Sequence, residues 1–323
     1  MTWGKLAAAL AMTAYATMPT HVHAQAAWPT KPVTVVVPFT AGGTTDLIGR
    51  NLSDALRSSG VTVIVENKPG AGTSLGLEYV TRAKPDGTTL LMTSSSSLTI
   101  YPNLAKTSYD PLTDFTPIAS IAVSPVAIAA TPARKIDTFK ALTTFAKTNP
   151  GKLTFAVPGL GSVGHLAMAD VSKQAGIEML LVPYRGSSQA LSDSLGGNVD
   201  LLVTNVDVML PHVKSGALKP LAVLTPKRWE AWPDVPSAAE LGMPTINYAS
   251  NFGVYVPAGT PPELVQAIRV AVENAVASPR YKEMLANNYL QPGTGSGDEL
   301  REQLKTEYYN NRRLITAENI RLQ

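Results

Sequence analysis

Apolar runs alternate along the chain with glycine-bearing turns and amphipathic stretches. Val33 to Phe39 is a β-branched run whose unbroken apolarity suits a strand buried on both faces. After the loop Thr40-Ala41-Gly42-Gly43-Thr44-Thr45, residues Asp46 to Ser58 place Leu47, Ile48, Leu52, Ala55 and Leu56 on one helical stripe, with Thr45 or Asp46 as cap. Val61 to Asn67 predicts a second strand, Ser74 to Ala83 a helix, and Thr88 to Thr93 a third strand entered through Pro85-Asp86-Gly87. The order βαβαβ implies a parallel sheet.

A second series repeats this plan. A helix over Phe139 to Thr148 and a strand over Leu153 to Val157 lead into Pro158-Gly159-Leu160-Gly161-Ser162-Val163-Gly164, which opens a helix running to about Ala175. Strands follow at Met179 to Tyr184, Val199 to Thr204 and Leu218 to Leu224, separated by helices at Ser187 to Leu195 and Asp207 to Lys214. The extended stretches Ile118 to Ala130 and Ser250 to Val256 flank this series and predict two crossings between domains. Amphipathic helices at Pro261 to Ala277, Tyr281 to Asn287 and Asp298 to about Glu318 are expected to pack on the first domain. The reading is α/β, two domains, each a mainly parallel sheet flanked by helices. Its boundaries are 25–124 with 250–323 for the first, discontinuous domain, and 125–249 for the second.

The N-terminus changes the compartment. Lys5, the apolar run Leu6 to Met18 and Val22-His23-Ala24 form a secretory signal over residues 1–24, cleaved before Gln25. As a helix that run rises only about 20 Å, short of the roughly 30 Å bilayer core. In a Gram-negative host the destination is the periplasm. The whole chain, 323 residues, is 45% apolar and 16% charged, ordinary for a folded protein. Its formal charge of +3 leaves no electrostatic footprint for nucleic acid. With no cysteine, thiolate catalysis, disulfides and Cys-bound metal drop out. Loss of His21 and His23 with the signal leaves only His165 and His212, too few for a histidine-rich metal site.

Gly159-x-Gly161-x-x-Gly164 matches the dinucleotide fingerprint after a strand. The acid that should follow about 20 residues later is missing, since that strand ends in Pro183-Tyr184-Arg185-Gly186. An exported protein also has no nicotinamide pool to draw on, so no cofactor is expected. The loop reads as an anion-binding helix N-terminus, which uses the same physics. Ser162, His165 and Asp170 lie on one helix, whereas the members of a catalytic triad converge from separate elements. His165 is expected near a ligand. Ser94 to Ser97 follows the third strand and Arg185 stands beside Gly186, both at the carboxyl edge where open α/β sheets present ligands.

These residues resemble one family from Trp28 to Gln323: the extracytoplasmic solute receptors of tripartite tricarboxylate transporters, often called Bug proteins. The resemblance rests on Val36-Val37-Pro38-Phe39 with Gly42-Gly43-x-x-Asp46, Val65-Glu66-Asn67-Lys68-Pro69-Gly70-Ala71-Gly72 and Pro85-Asp86-Gly87. It continues through Tyr109-Asp110-Pro111-Leu112, Gly161-Ser162-x-x-His165-Leu166, Val182-Pro183-Tyr184-Arg185-Gly186 and Pro257-Ala258-Gly259-Thr260-Pro261. It implies a Venus-flytrap periplasmic binding protein with two crossover hinge strands, without catalysis, cofactor or metal. Such a protein captures a small mono- or dicarboxylate, aromatic acids included, and delivers it to a membrane transporter.

The resemblance further implies that main-chain N–H groups and hydroxyls of two glycine loops hold the carboxylate. Here these are Phe39, Thr40, Ala41, Gly43 and Thr44, and Gly159, Gly161 and Ser162. Ser95, Ser97, His165, Tyr184, Arg185, Thr204 and Asp207 stand alongside. The chain departs from the family pattern at Thr44, where many members have a third glycine, at Leu98, where they have histidine, and at Thr204, where they have aspartate. An acid at position 204 would neutralise a ligand ammonium, so Thr204 argues for a ligand without an amine, while Asp207 keeps an amino acid in view. A monomer is expected. A sensory receptor of the same fold, docking on a signalling partner, is the alternative.

Overall fold

A computed structural model describes residues 28–293, 295–317, 319 and 320. The signal segment 1–24 and its cleavage site lie outside the described residues. β1 (Val33–Val37) is almost wholly buried, and α1 (Thr44–Ser58) turns Ile48, Leu52, Ala55 and Leu56 onto it. β2 (Val63–Asn67), α2 (Ser74–Thr81) and β3 (Thr89–Ser94) follow. β2 and β3 flank β1 in parallel, because each intervening helix returns the chain to the same end of the sheet. The serine run is not a plain loop: it winds into α3 (Ser96–Thr99) and then α4 (Tyr101–Leu104).

β4 (Phe115–Ala130) is the long strand of the molecule. The second series then supplies α5 (Phe139–Thr148), β5 (Thr154–Val157), α6 (Val163–Ala175), β6 (Leu180–Pro183), α7 (Ser187–Leu195), β7 (Leu201–Asn205), α8 (Val206–Lys214) and β8 (Lys219–Val223). The chain returns through β9 (Ala249–Pro257) and closes with α9 (Pro262–Ala277), α10 (Pro279–Asn287), β10 (Gln291–Pro292) and α11 (Gly297–Ala317). The strand order is β2-β1-β3-β9-β4-β7-β5-β6, with β8 and β10 also on β4.

β4 changes partners along its length. Phe115 to Pro125 pairs antiparallel with β9, and Val126 to Ala130 pairs with β7 and β8. The two crossings read from the sequence as separate linkers are therefore one hydrogen-bonded ribbon shared by both lobes.

Each lobe buries apolar side chains on both faces of its part of the sheet. In the first, α1, α9 and α10 cover one face around Leu52, Ile268 and Tyr281. Leu77, Tyr255, Leu300 and Leu304 fill the other. In the second, Leu142 and Leu166 lie on one face, and Met209 and Trp232 on the other.

The last helix departs from expectation. α11 has 21 residues, about 32 Å at 1.5 Å per residue, and outruns the first lobe. Leu300 and Leu304 join the first lobe, whereas Ile315 joins the core that holds Leu153 and Leu166 of the second. Ile100, just after α3, belongs to that same core. Asn103 donates to the Tyr308 carbonyl at 3.1 Å and Asn311 to Thr99 Oγ1 at 3.2 Å, tying α11 to the serine-rich segment.

Candidate functional site

Four helix N-termini converge on the cleft between the lobes. α1 begins after Gly43, whose extended backbone makes no side-chain cap, so its first amides have no partner in their own helix. Gly42, at φ +84°, turns its N–H onto Asp46 Oδ2 at 2.9 Å. Arg50 Nε reaches the same oxygen at 2.8 Å, and Asn67 Nδ2 donates to Asp46 Oδ1 at 2.9 Å and to the Phe39 carbonyl at 3.0 Å. Burial pushes the Asp46 carboxyl up, but the bonds from Arg50, Gly42 and Asn67 together outweigh it and hold the group below the usual carboxylate range. Gly42-Gly43-x-x-Asp46 is therefore a scaffold for the loop.

α6 begins at its cap Ser162, whose Oγ accepts from the His165 N–H at 3.3 Å. A Cβ at Gly161 would stand 2.8 Å from Tyr101 Cα, and one at Gly164 would stand 2.8 Å from the Val203 carbonyl oxygen. The glycines of the apparent dinucleotide fingerprint thus serve close packing, against the first lobe and against β7. α7 follows Gly186 and α8 follows Asn205, neither with a side-chain cap bond. Asn205 Nδ2 instead donates to the Ser124 carbonyl at 3.1 Å and to Ser250 Oγ at 2.9 Å, holding both crossing strands.

Phe39, Gly43, Thr44, Ser162 and Thr204 line this cleft. Thr204 Oγ1 donates to Ser187 Oγ at 3.2 Å. Thr40 and Ala41 form its rim: Thr40 N–H donates to the Arg185 carbonyl at 3.3 Å, and Thr40 Oγ1 and Ser188 Oγ share a 3.0 Å hydrogen bond. The cavity enclosed is small, about 30 Å³. Among the described residues no lysine, arginine or histidine lines it.

Other expected residues stand elsewhere. Ser94 and Ser96 line this cavity, Ser95 lines a neighbouring one together with Val163 and Tyr248, and Ser97 lines neither. Ser97 Oγ accepts from Thr93 and its carbonyl from Tyr109, while the Ser95 N–H is spent on the Asn251 carbonyl at 2.7 Å. Gly159 is buried beside the Tyr184 carbonyl, outside the lining. The Gly161 N–H donates to His165 Nδ1 at 3.2 Å and is not free for a ligand. Burial lowers His165 to about 4, so it is neutral and structural. Tyr184 donates to Asp193 Oδ2 at 2.8 Å; desolvation, with that bond and charge, pushes its hydroxyl up to about 12. Arg185 contributes its carbonyl to the rim while its side chain is exposed.

Asp207 lies fully buried behind the lining and accepts from Ser124 Oγ at 2.7 Å. Sequence reasoning missed Thr45, Ser187, Asn205 and Ser250 as lining residues. Ser187 was legible in principle, as the first helical residue after Gly186. Among the described residues no three His, Asp or Glu side chains gather where they would hold a metal ion.

Two α/β lobes on a shared ribbon, closing over a polar cleft, define a periplasmic binding protein. The profile of the tripartite tricarboxylate transporter family receptors matches residues 48–320, and the chain belongs to that family. It is 33% identical to protein BugT of Bordetella pertussis over 280 residues, 85% of each chain. The solved structure of the periplasmic binding protein BugD superposes with a TM-score of 0.87 at 31% identity, covering 92% of this chain and all of that one. An R. palustris protein solved with adipate gives 0.87 at 32% identity, covering 91% and 99%. These relatives are solute-binding receptors, and the protein is a receptor of that kind, not an enzyme. Among the described residues no helix is long and apolar enough to cross a membrane.

Proposed function

We propose that this receptor captures a small organic carboxylate in the periplasm and delivers it to a membrane transporter of the tripartite tricarboxylate type. The observation that carries the reading is the convergence of α1, α6, α7 and α8, N-termini first, on a cleft without a basic side chain. Each helix start offers unpaired N–H groups and the positive end of a dipole, which favours an anion. Charge-assisted hydrogen bonds net roughly 1.5–3 kcal/mol each, so about five reach the roughly 8 kcal/mol of a micromolar complex after ordering costs. The adipate in the R. palustris relative supports the same ligand class.

The protein works as an exported monomer, cut after Ala24. Calorimetry of the mature protein against a panel of mono- and dicarboxylates, adipate and benzoate among them, and their primary amides tests the reading. Acids binding at micromolar level, with the amides silent, is the expected result. Equal binding of amides, or no acid binding, overturns it. Intact mass of the periplasmic protein tests export, and a chain still carrying Met1 rules it out.

A further inference from the structure

A second cavity lies beside the cleft, enclosed by the serine-rich segment, the start of β9, α6 and α11. It measures about 350 Å³ and meets the cleft at Ser96 and Val163, which line both. That is room for a small organic molecule, more than a bare ion needs. Ile100, Val163 and Leu166 give it an apolar flank, and α11 contributes Glu307 and Asn311.

Two polar side chains in this cavity have bonding capacity left over. Ser95 is 4% exposed, and its Oγ has no hydrogen-bond partner among the described residues; only its main chain is engaged, the N–H on the Asn251 carbonyl. Most buried hydroxyls are paired, so an unpaired one lining a cavity points to an occupant. Glu307 Oε1 accepts from Asn251 Nδ2 at 2.9 Å and from Gln303 Nε2 at 2.8 Å, while Oε2 accepts from nothing among the described residues. No lysine, arginine or histidine among them lines the cavity to balance this carboxylate. Its charge is felt inside the protein: burial, with the Glu307 charge added, pushes the Tyr255 hydroxyl up. Asn251 and Asn311 spend their amide nitrogens on Glu307 and on Thr99 Oγ1, which leaves each an amide oxygen to accept.

The inventory is one-sided, with acceptors in excess and a single negative charge. A primary ammonium is the complementary group, since it offers three donors and no acceptor. One carboxylate balances one such charge. The described residues gather no set of acids that would hold a metal ion, and the apolar flank suits a short alkyl stem.

We propose that this cavity is a second binding site, separate from the anion cleft, and that it takes a small primary alkylammonium ion. Its nitrogen pairs with Glu307, the Ser95 hydroxyl completes its shell, and its stem lies against Val163, Leu166 and Ile100. The proposal rests on these side chains and not on the carboxylate reading of the cleft.

Calorimetry of the purified protein at fixed ionic strength tests it, with n-propylammonium chloride as probe, n-propanol as neutral isostere and potassium chloride as bare cation. Propylammonium should bind one-to-one, about tenfold or more tighter than either control. Glu307→Gln, whose amide oxygen still accepts from Asn251, should weaken propylammonium by about tenfold or more, and Ser95→Ala by about two- to tenfold. Glu302→Gln, on the exposed face of the same helix, should leave it unchanged. Absence of propylammonium binding, equal binding of propanol or potassium, or an affinity that survives Glu307→Gln overturns the proposal and leaves the carboxylate reading standing. The wild-type comparison decides the matter even where a variant folds poorly.

Discussion

Ser188 Oγ donates to the Ala41 carbonyl at 2.8 Å, joining the first turn of α7 in one lobe to the glycine loop of the other. With the Thr40 bonds to Ser188 and Arg185, it seals the mouth of the cleft. On the carboxylate reading, a ligand reaches the helix N-termini only when this rim parts, which makes the same few bonds the expected control on access and retention. A ligand that contacts both lobes adds its differential binding energy to the closed form.

Ser188→Ala should favour the open form. Small-angle scattering of the ligand-free variant should give a larger radius of gyration than wild type. Calorimetry should show affinity weaker by about two- to tenfold, the loss of one or two net hydrogen bonds. An unchanged radius and affinity would mean the rim bonds do not govern closure.

Gly186→Val should abolish binding with little loss of stability. A Cβ there would collide with the Thr40 side chain and crowd its backbone nitrogen, so the lobes are held apart while each core remains intact. A variant that melts like wild type but no longer binds is the expected outcome. Retained affinity would show that the loops approach differently in the complex.

Gly161→Ala acts on stability instead. Its φ of +71° is strained for any L side chain, by about 1–3 kcal/mol, and the new Cβ would press on Tyr101. The melting temperature should fall by several degrees. A neutral effect would imply that the turn relaxes away from the left-handed region.

His165 and Asp207 impose opposite pH dependences. Burial lowers the folded-state pKa of His165 from 6.5 to about 4, so within that window the unfolded chain binds more protons. Its contribution is complete above about pH 6.5 and is lost as pH falls toward 4. Asp207, raised from 3.8 to about 6, does the reverse: it favours the folded state at low pH and loses that contribution as pH rises through about 6. Urea denaturation across pH 4 to 8 should show a shallower acid-side loss in His165→Asn, which keeps an acceptor for the Gly161 N–H. Asp207→Asn should remove the loss of stability between about pH 4 and 6. Parallel curves for all three proteins would refute both assignments.

Ile315→Ala should loosen the lobe that does not contain α11's own base. Ile315 is 6% exposed in the core of Leu153 and Leu166, and truncating it leaves a cavity worth about 2 kcal/mol or more. Hydrogen exchange should show faster opening of β5 in the second lobe, although Ile315 follows the first lobe in the chain. Exchange changes confined to α11 would mean that its last turn merely rests on the surface.

The sequence by itself determined most of the elements, α3, α4 and β10 apart, because each depends on local signals that act within a turn or two. The continuous apolarity of Val33 to Val37, the stripe through Ile48, Leu52 and Leu56, and the glycine turns at 42 and 161 need no distant partner to be read. It also carried the expectation about the kind of site: two strand-turn-helix units without a usable nucleotide acid, in a chain without cysteine, read as a place for an anion held by backbone amides, and the family motifs pointed the same way. Which serines line the small cavity was decided only in three dimensions, where Ser94 ends β3 and Ser96 opens α3.

The Gly161 N–H is spent on His165 Nδ1 one turn on, and Tyr101, distant in sequence, packs against Gly161. The pairing of β4 with β9 and then with β7 and β8 and the reach of α11 into the second core are both long-range. Apolar burial and hydrogen bonding reward such contacts only after the chain has folded, and no local pattern encodes them.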